Sequence, residues 1–271
     1  MNRVEKAIVC FSGGHSSALA AIEAVRRYGK DRVILLNHDI SPKVEHEDIK
    51  RFKREVADYC GVPITYANMP GWETTTPLDV CVQHKTIFAG RPGRAICTAR
   101  LKTEPFNRWL ESNMPKSADI HILYGFDAGE TERMLRRGTI IRAMGYTPEF
   151  PLAEWTRTIE RTEDVGIERP VTYRIYRHAN CIGCLKAGKQ HWYCVYCLRP
   201  DIWWDAKIAE DKLGYSIIKG MYLKELEPLF WSMKHEMHIC PSEKIPPQTF
   251  WAQVDAVLPE QESMMPCDCA F

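Results

Sequence analysis

Ala7-Ile-Val-Cys-Phe11, Ser12-Gly-Gly-His-Ser-Ser17 and the run ALAAIEAVRRY from Ala18 to Tyr28 are the stretch on which the fold turns. An unbroken apolar run suits a strand buried on both faces. Paired glycines end it, and the residues that follow carry apolar side chains at helical spacing, so the order is strand, turn, helix. Such a turn offers unpaired backbone N–H groups and the positive end of the helix dipole to whatever lies above the strand. A phosphate or sulfate is the natural occupant: Gly13 and Gly14 let the amides approach it, and Ser12, Ser16 and Ser17 add hydroxyl donors. The plainer alternative is that Ser16 only caps the helix after a glycine turn.

Working outward, the pattern repeats. Val33 to Leu36 is a second apolar run and precedes Asn37-His38-Asp39; the segment from Val44 to Cys60 has helical periodicity, and Ile64 to Ala67 supplies a third strand. Met69 to Gly93 reads as a long loop with a short helix from Leu78 to Phe88. Thr98 to Glu111 reads as helix despite Pro105, His121 to Tyr124 as a fourth strand ending in Gly125-Phe126-Asp127, and a further helix begins near Glu130. Strands alternating with helices predict an α/β fold, a parallel sheet flanked by helices, with ligands beyond the carboxyl ends of the strands. After Pro151 the alternation fades. Residues 1–155 are therefore read as the nucleotide-type domain and 156–271 as a cysteine-rich, mainly helical region, with helices over Ile202 to Leu213, Leu223 to Trp231 and Phe250 to Val257.

The 271 residues, 45% of them hydrophobic, suffice for one sizeable core and a smaller addition. With 36 Lys+Arg against 35 Asp+Glu there is no global pull toward nucleic acid or an anionic membrane, so an anion site must be local. The apolar start is too short for a signal peptide, and no run nears the roughly 18 residues of a membrane span, which makes a cytoplasmic protein without membrane association the expectation. Seven of the eleven cysteines fall between Cys181 and Cys269. In a chain of this size without an export signal, such a skew points to metal binding or thiol chemistry over a disulfide framework.

Three clusters carry the chemistry. RPGRAICTARLKTEPFNR, from Arg91 to Arg108, sets Arg91, Arg94, Arg100, Lys102 and Arg108 against Glu104 alone; its expected product is a positive pocket for phosphate or sulfate, and a solvated helix face is the alternative. In GFDAGETERMLRR, Glu130 suits a helix N-terminus, while Arg133, Arg136 and Arg137 share a helix face, with Arg133 the candidate ligand contact. Cys181-Ile-Gly-Cys184 and Cys194-Val-Tyr-Cys197, with His191 between them, give two CxxC pairs nine residues apart, the pattern of a tetrahedral thiolate site for zinc or an iron-sulfur cluster. Cys267 and Cys269 close the chain, and a thiolate there would gain nucleophilicity from a basic pocket. HEMHIC, at His235 to Cys240, reads as incidental, and Trp203, Trp204, Trp231 and Trp251 as packing.

These motifs resemble the phosphoadenosine phosphosulfate reductase family and the wider group of N-type ATP pyrophosphatases. Ser12 to Ser17 is similar to their SGGxDS pyrophosphate loop, with Ser16 in place of the Asp; a carboxylate there helps hold the magnesium that accompanies a polyphosphate, and a serine does so only weakly. ICTARLKTEPF resembles the family's Cys-x-x-x-(Arg/Leu)-Lys-x-x-Pro segment through Cys97, Lys102 and Pro105. Asp39 stands at the family's Asp-Thr-Gly turn, and Gly125, Glu130, Thr131 and Arg133 at its glycine turn leading to Glu-(Ser/Thr) and arginine. The resemblance implies a Rossmann-like sheet binding an adenine nucleotide (phosphoadenosine phosphosulfate, adenosine phosphosulfate or ATP). It implies a four-iron cluster or zinc on Cys181, Cys184 and Cys97 with Cys194 or Cys197, and a sulfonyl-accepting thiol at Cys267 or Cys269. A dithiol protein would then release sulfite. ATP-dependent thiolation of a nucleic acid and a silent nucleotide-binding module are the alternatives.

Overall fold

The computed structural model describes residues 4–90, 94–116, 119–176, 181–242 and 244–259. It has an α/β architecture around a five-stranded, all-parallel sheet of order β3-β2-β1-β4-β5, formed by β1 (Lys6–Cys10), β2 (Val33–Asn37), β3 (Ile64–Tyr66), β4 (Ile120–Leu123) and β5 (Thr147–Glu149). Val9 stands between Leu35 of β2 and Leu123 of β4. Each central strand is covered by helices on both sides, which is why it reads as a continuous apolar run. Helices α1 (His15–Tyr28) and α2 (Glu47–Cys60) cover one face together with Val9, Phe11 and Leu35. The opposite face carries Ile8, Cys10, Ile122 and Tyr124, packed by Phe106 and Ile141. Those two residues belong to α5 (Glu104–Asn113) and α6 (Thr131–Ala143).

One strand was not legible in the sequence. β5 is a three-residue edge strand, Thr-Pro-Glu, in which proline is tolerated because an edge strand need not donate on both sides. Between α3 (Pro77–His84) and α5 the chain runs through α4 (Ile96–Thr98) into a π-helical stretch, Ala99–Thr103, so Pro105 lies in the first turn of α5 and breaks nothing. A short α7 (Pro151–Glu154) follows β5. The remainder is helical: α8 (Lys189–Leu198), α9 (Pro200–Leu213), α10 (Leu223–His235) and α11 (Pro247–Val257). Their shared core, built on Trp192, Trp203, Phe230 and Phe250, also takes in Ile40, Leu78, Cys81, Ile96 and Leu101. The C-terminal helices are thereby seated on the 77–101 segment that borders the ligand edge of the sheet. Among the described residues no helix is long and apolar enough to cross a membrane.

The strand order reverses between β1 and β4, and in an open parallel sheet the crevice beyond that reversal is where ligands bind. Its walls touch: a Cβ on Gly125, just past β4, would stand 2.5 Å from the Ser16 carbonyl oxygen and 2.9 Å from the Ser17 nitrogen. Both obstacles are backbone, so Gly125→Ala must push the head of α1 away from β4. We expect that substitution to destabilise the fold by about 1–3 kcal/mol, read as a lowered midpoint in thermal denaturation.

Candidate functional site

The glycine loop lies at this crevice. Gly13 has φ +83°, a conformation other residues rarely adopt, and α1 starts at His15 with Gly14 as its extended N-cap. The Ser17 hydroxyl donates to the Gly14 carbonyl at 2.8 Å and accepts from the Ser12 hydroxyl at 3.2 Å, so both serines brace the loop. Ala18 N–H closes the first helical bond to Gly14 at 3.1 Å. Among the described residues, the amides of Gly13, Gly14, Ser16 and Ser17 carry no hydrogen bond to the protein. The first turn contains no acidic side chain to satisfy the dipole from within. Uncommitted amides and an unopposed dipole at a helix N-terminus are the features from which anion sites are built.

The segment after α7, which has no periodicity to betray it, straps across the loop. The buried Glu23 of α1 accepts from Thr158 N–H at 2.7 Å, the Thr158 hydroxyl at 2.8 Å and Ile159 N–H at 3.2 Å. Further along, Asp48 accepts from Val171 N–H at 2.7 Å, and Arg51 donates to the Glu168 carbonyl at 3.1 Å. At the loop itself, His15 N–H donates to the Tyr173 hydroxyl at 3.1 Å, and the His15 Nε2 accepts from Thr162 N–H at 3.3 Å. One loop amide is thus taken by the protein's own side chain. The variable residue of the SGGxSS motif is a fastening point: its ring is neutral and accepts at Nε2. Sequence reading missed Tyr173 because it lies 158 residues from its partner.

Other expected contacts separate. Asp39 follows β2 and is ion-paired to Lys53 at 2.9 Å and Lys50 at 3.3 Å, with Glu45 beside it. Burial works against the Asp39 carboxylate, but the Lys53 charge and hydrogen bond outweigh it and hold its pKa below the ordinary value. Burial pushes Glu45 up to about 7. Lys53 shares the buried stripe of α2 with Ile49, Phe52 and Val56, and a charge on an apolar stripe is the one signal that could have exposed it.

The basic run from Arg91 to Arg108 does not form the single expected pocket. Arg100 turns to Glu104 at 2.6 Å, one helical turn away; Arg94 is exposed; Arg108 reaches Met69 Sδ at 3.6 Å; Arg91 lies outside the described residues. The reason is helical geometry, which fans successive side chains around the axis. Lys102 is half-buried and lies near His38. It contributes to lowering His38, which burial drives to about 3, so the imidazole at the end of β2 is neutral. Glu130 accepts from Asp127 N–H at 2.9 Å and pairs with Arg133, whose guanidinium covers the Phe126 ring at 4.3 Å. Both therefore serve to hold the Gly125–Glu130 turn.

Cys97, Cys181 and Cys184 line one cleft with Lys102, Thr98, Leu101 and Lys186. A cysteine from the sheet half and a CxxC from the far end of the chain meet there, next to the π-helical stretch. The second CxxC is different: Cys194 and Cys197, expected as ligands of a tetrahedral thiolate site, lie within the helix α8. Cys194 is fully buried and reaches the Ile175 carbonyl at 3.6 Å, while Cys197 neighbours the Tyr193 hydroxyl and the Cys240 thiol. His191 Nε2 accepts from Gly183 N–H at 3.1 Å and Cys184 N–H at 3.3 Å, so it buttresses the first CxxC turn through that nitrogen. The donor type suits a thiophilic metal, yet among the described residues no three His, Cys, Asp or Glu side chains converge as one ion requires. Cys267 and Cys269 lie outside the described residues.

In comparisons with family models, curated proteins and solved structures, nothing matches this chain.

The fastening at His15 is pH-dependent. Burial, then the Arg169 charge, lower its pKa below the ordinary 6.5, so its stabilising contribution is present above that value and lost as pH falls through the folded one. Glu163, Asp127 and Asp164 oppose the shift without reversing it. The protection factor of Thr162 N–H, its exchange rate relative to the intrinsic rate at each pH, should fall in that acidic window, and His15→Gln should remove the pH step.

Proposed function

We propose that this chain is an enzyme that binds an adenine nucleotide at the carboxyl edge of a Rossmann-like sheet and cleaves a sulfonucleotide reductively through a cysteine thiol. The observation that carries the binding half is the set of uncommitted amides at Gly13, Gly14, Ser16 and Ser17, placed where the strand order reverses. Four amides, the Ser16 hydroxyl and the dipole of α1 answer a phosphate chain; Asp39, at the end of the second strand, is where an acid meets ribose hydroxyls in sheets of this kind. Ser16 offers a hydroxyl where a polyphosphate-bound magnesium would want a carboxylate. That favours a nucleotide whose leaving bond is sulfur–oxygen over one that needs metal-assisted cleavage between phosphates.

The cleft of Cys97, Cys181 and Cys184 supplies a second component, thiols close to the nucleotide edge; among the described residues no three such donors converge on one ion, so no step is routed through a metal there. Lys102, lining the same cleft, would offer a mobile ammonium to the sulfonyl oxygens. In the reaction, a thiolate from Cys267 or Cys269 attacks the sulfonyl sulfur, the sulfur–oxygen bond to the nucleotide phosphate breaks, and the nucleotide leaves with the electron pair. A dithiol protein then attacks the cysteine sulfur of the S-sulfocysteine, releases sulfite, and resolves the mixed disulfide to its own disulfide and the restored thiol.

The test is direct. With adenosine phosphosulfate or its 3′-phosphorylated form and a dithiol reductant, the anaerobically purified protein should release sulfite. Cys267→Ser combined with Cys269→Ser should abolish release and leave nucleotide affinity within about twofold. Pyrophosphate release from ATP with a thiolated acceptor would replace this reading with sulfur transfer, and tight nucleotide binding without turnover would leave a binding module.

A further inference from the structure

We propose that Lys53 is the positioning residue of the nucleotide edge: its alkyl stem carries the glycine loop from beneath, and its ammonium aims Asp39. The proposal rests on the adenine-nucleotide reading above. Lys53 is 1% exposed. A Cβ on Gly13 would stand 2.9 Å from both its Cγ and Cδ, so the stem lies directly against the loop backbone. Beyond that contact the ammonium reaches Asp39 Oδ1 at 2.9 Å, the Glu45 oxygens at 3.0 and 3.1 Å and Asn37 Oδ1 at 3.4 Å.

Asn37 and Asp39 stand at the carboxyl end of β2, and Glu45 follows them in the link to α2. Asn37 donates its side-chain amide to the Phe11 carbonyl at 2.5 Å, one residue before the loop. Asp39 N–H donates to the Asn68 side chain at 2.8 Å, just past β3. One buried charge therefore ties the carboxyl ends of β1, β2 and β3 together. It holds Asp39 by one oxygen; the other oxygen meets Lys50, 30% exposed at the rim. A methionine would pack the same stem without burying an ammonium, and ion pairs of this kind seldom stabilise a fold better than apolar side chains of the same shape. The ammonium's partners lie at the ligand edge, so orienting that edge is the task the geometry leaves to it.

Lys53→Met keeps the stem and removes the charge; Lys53→Ala removes both. Binding of ADP and of inorganic pyrophosphate is measured by calorimetry for the wild type, both variants, Asp39→Asn and the Lys53→Met/Asp39→Asn double variant, each checked for a cooperative melt. Lys53→Met should bind pyrophosphate within about twofold of wild type and ADP about tenfold more weakly; Lys53→Ala should weaken both. Because Lys53 acts through Asp39, the double variant should bind ADP no worse than the weaker single variant. If Lys53→Met does not fold, Lys53→Gln, which retains polar donors, carries the same expectation of a joint loss that does not multiply. A folded Lys53→Met or Lys53→Gln protein that binds ADP as the wild type does, or losses that multiply with Asp39→Asn, overturns the proposal. A wild type that binds neither probe removes the nucleotide reading itself.

Discussion

Backbone amides at the head of α1 have no partner four residues earlier in the helix, and the loop before it leaves most of them without a hydrogen bond to the described residues. Gly125 brings the end of β4 against Ser16 and Ser17, where any side chain would collide with backbone. Ser12 and Ser17 bond to each other and to the Gly14 carbonyl, spending their hydroxyls on the loop's shape. Four amides carry no hydrogen bond to the described residues, with a helix dipole behind them and no acid in the first turn to neutralise it.

Around that corner, charge is divided between burial and exposure. Lys53 and Glu45 are buried as a pair beside Asp39, and removing one partner of such a set typically costs about 3–5 kcal/mol because it strands the other. His38 is neutral because burial outweighs everything around it. Most of the arginines along Arg94 to Arg108 and at Arg133 serve local turns or solvent. Lys102 and Lys186 line the cysteine cleft, Lys102 carried on a π-helical stretch of the kind often found at functional sites.

The strap from Thr158 to Tyr173 gives the C-terminal region its second link to the loop, beside the apolar seat on the 77–101 segment. Its bonds run to Glu23, His15, Asp48 and Arg51, so the head of α1 and the face of α2 are both fastened by residues more than a hundred positions away. The flank of the loop is fixed by the Tyr173 hydroxyl.

The order of strands and helices through β4, the parallel sheet and the glycine corner were legible in the sequence, because buried parallel strands write unbroken apolar runs and amphipathic helices write their period. β5 escaped notice because three residues with a proline leave no pattern, and α8 because its cysteines and aromatics read as a metal site. The family resemblance already grouped Cys97 with Cys181 and Cys184; the fan of arginines away from the expected pocket, the Lys53 hub and the Tyr173 contact were decided only by the tertiary structure. Periodicity records which face of an element is buried; it carries no information about which distant side chain will be brought within hydrogen-bond reach once that face is covered.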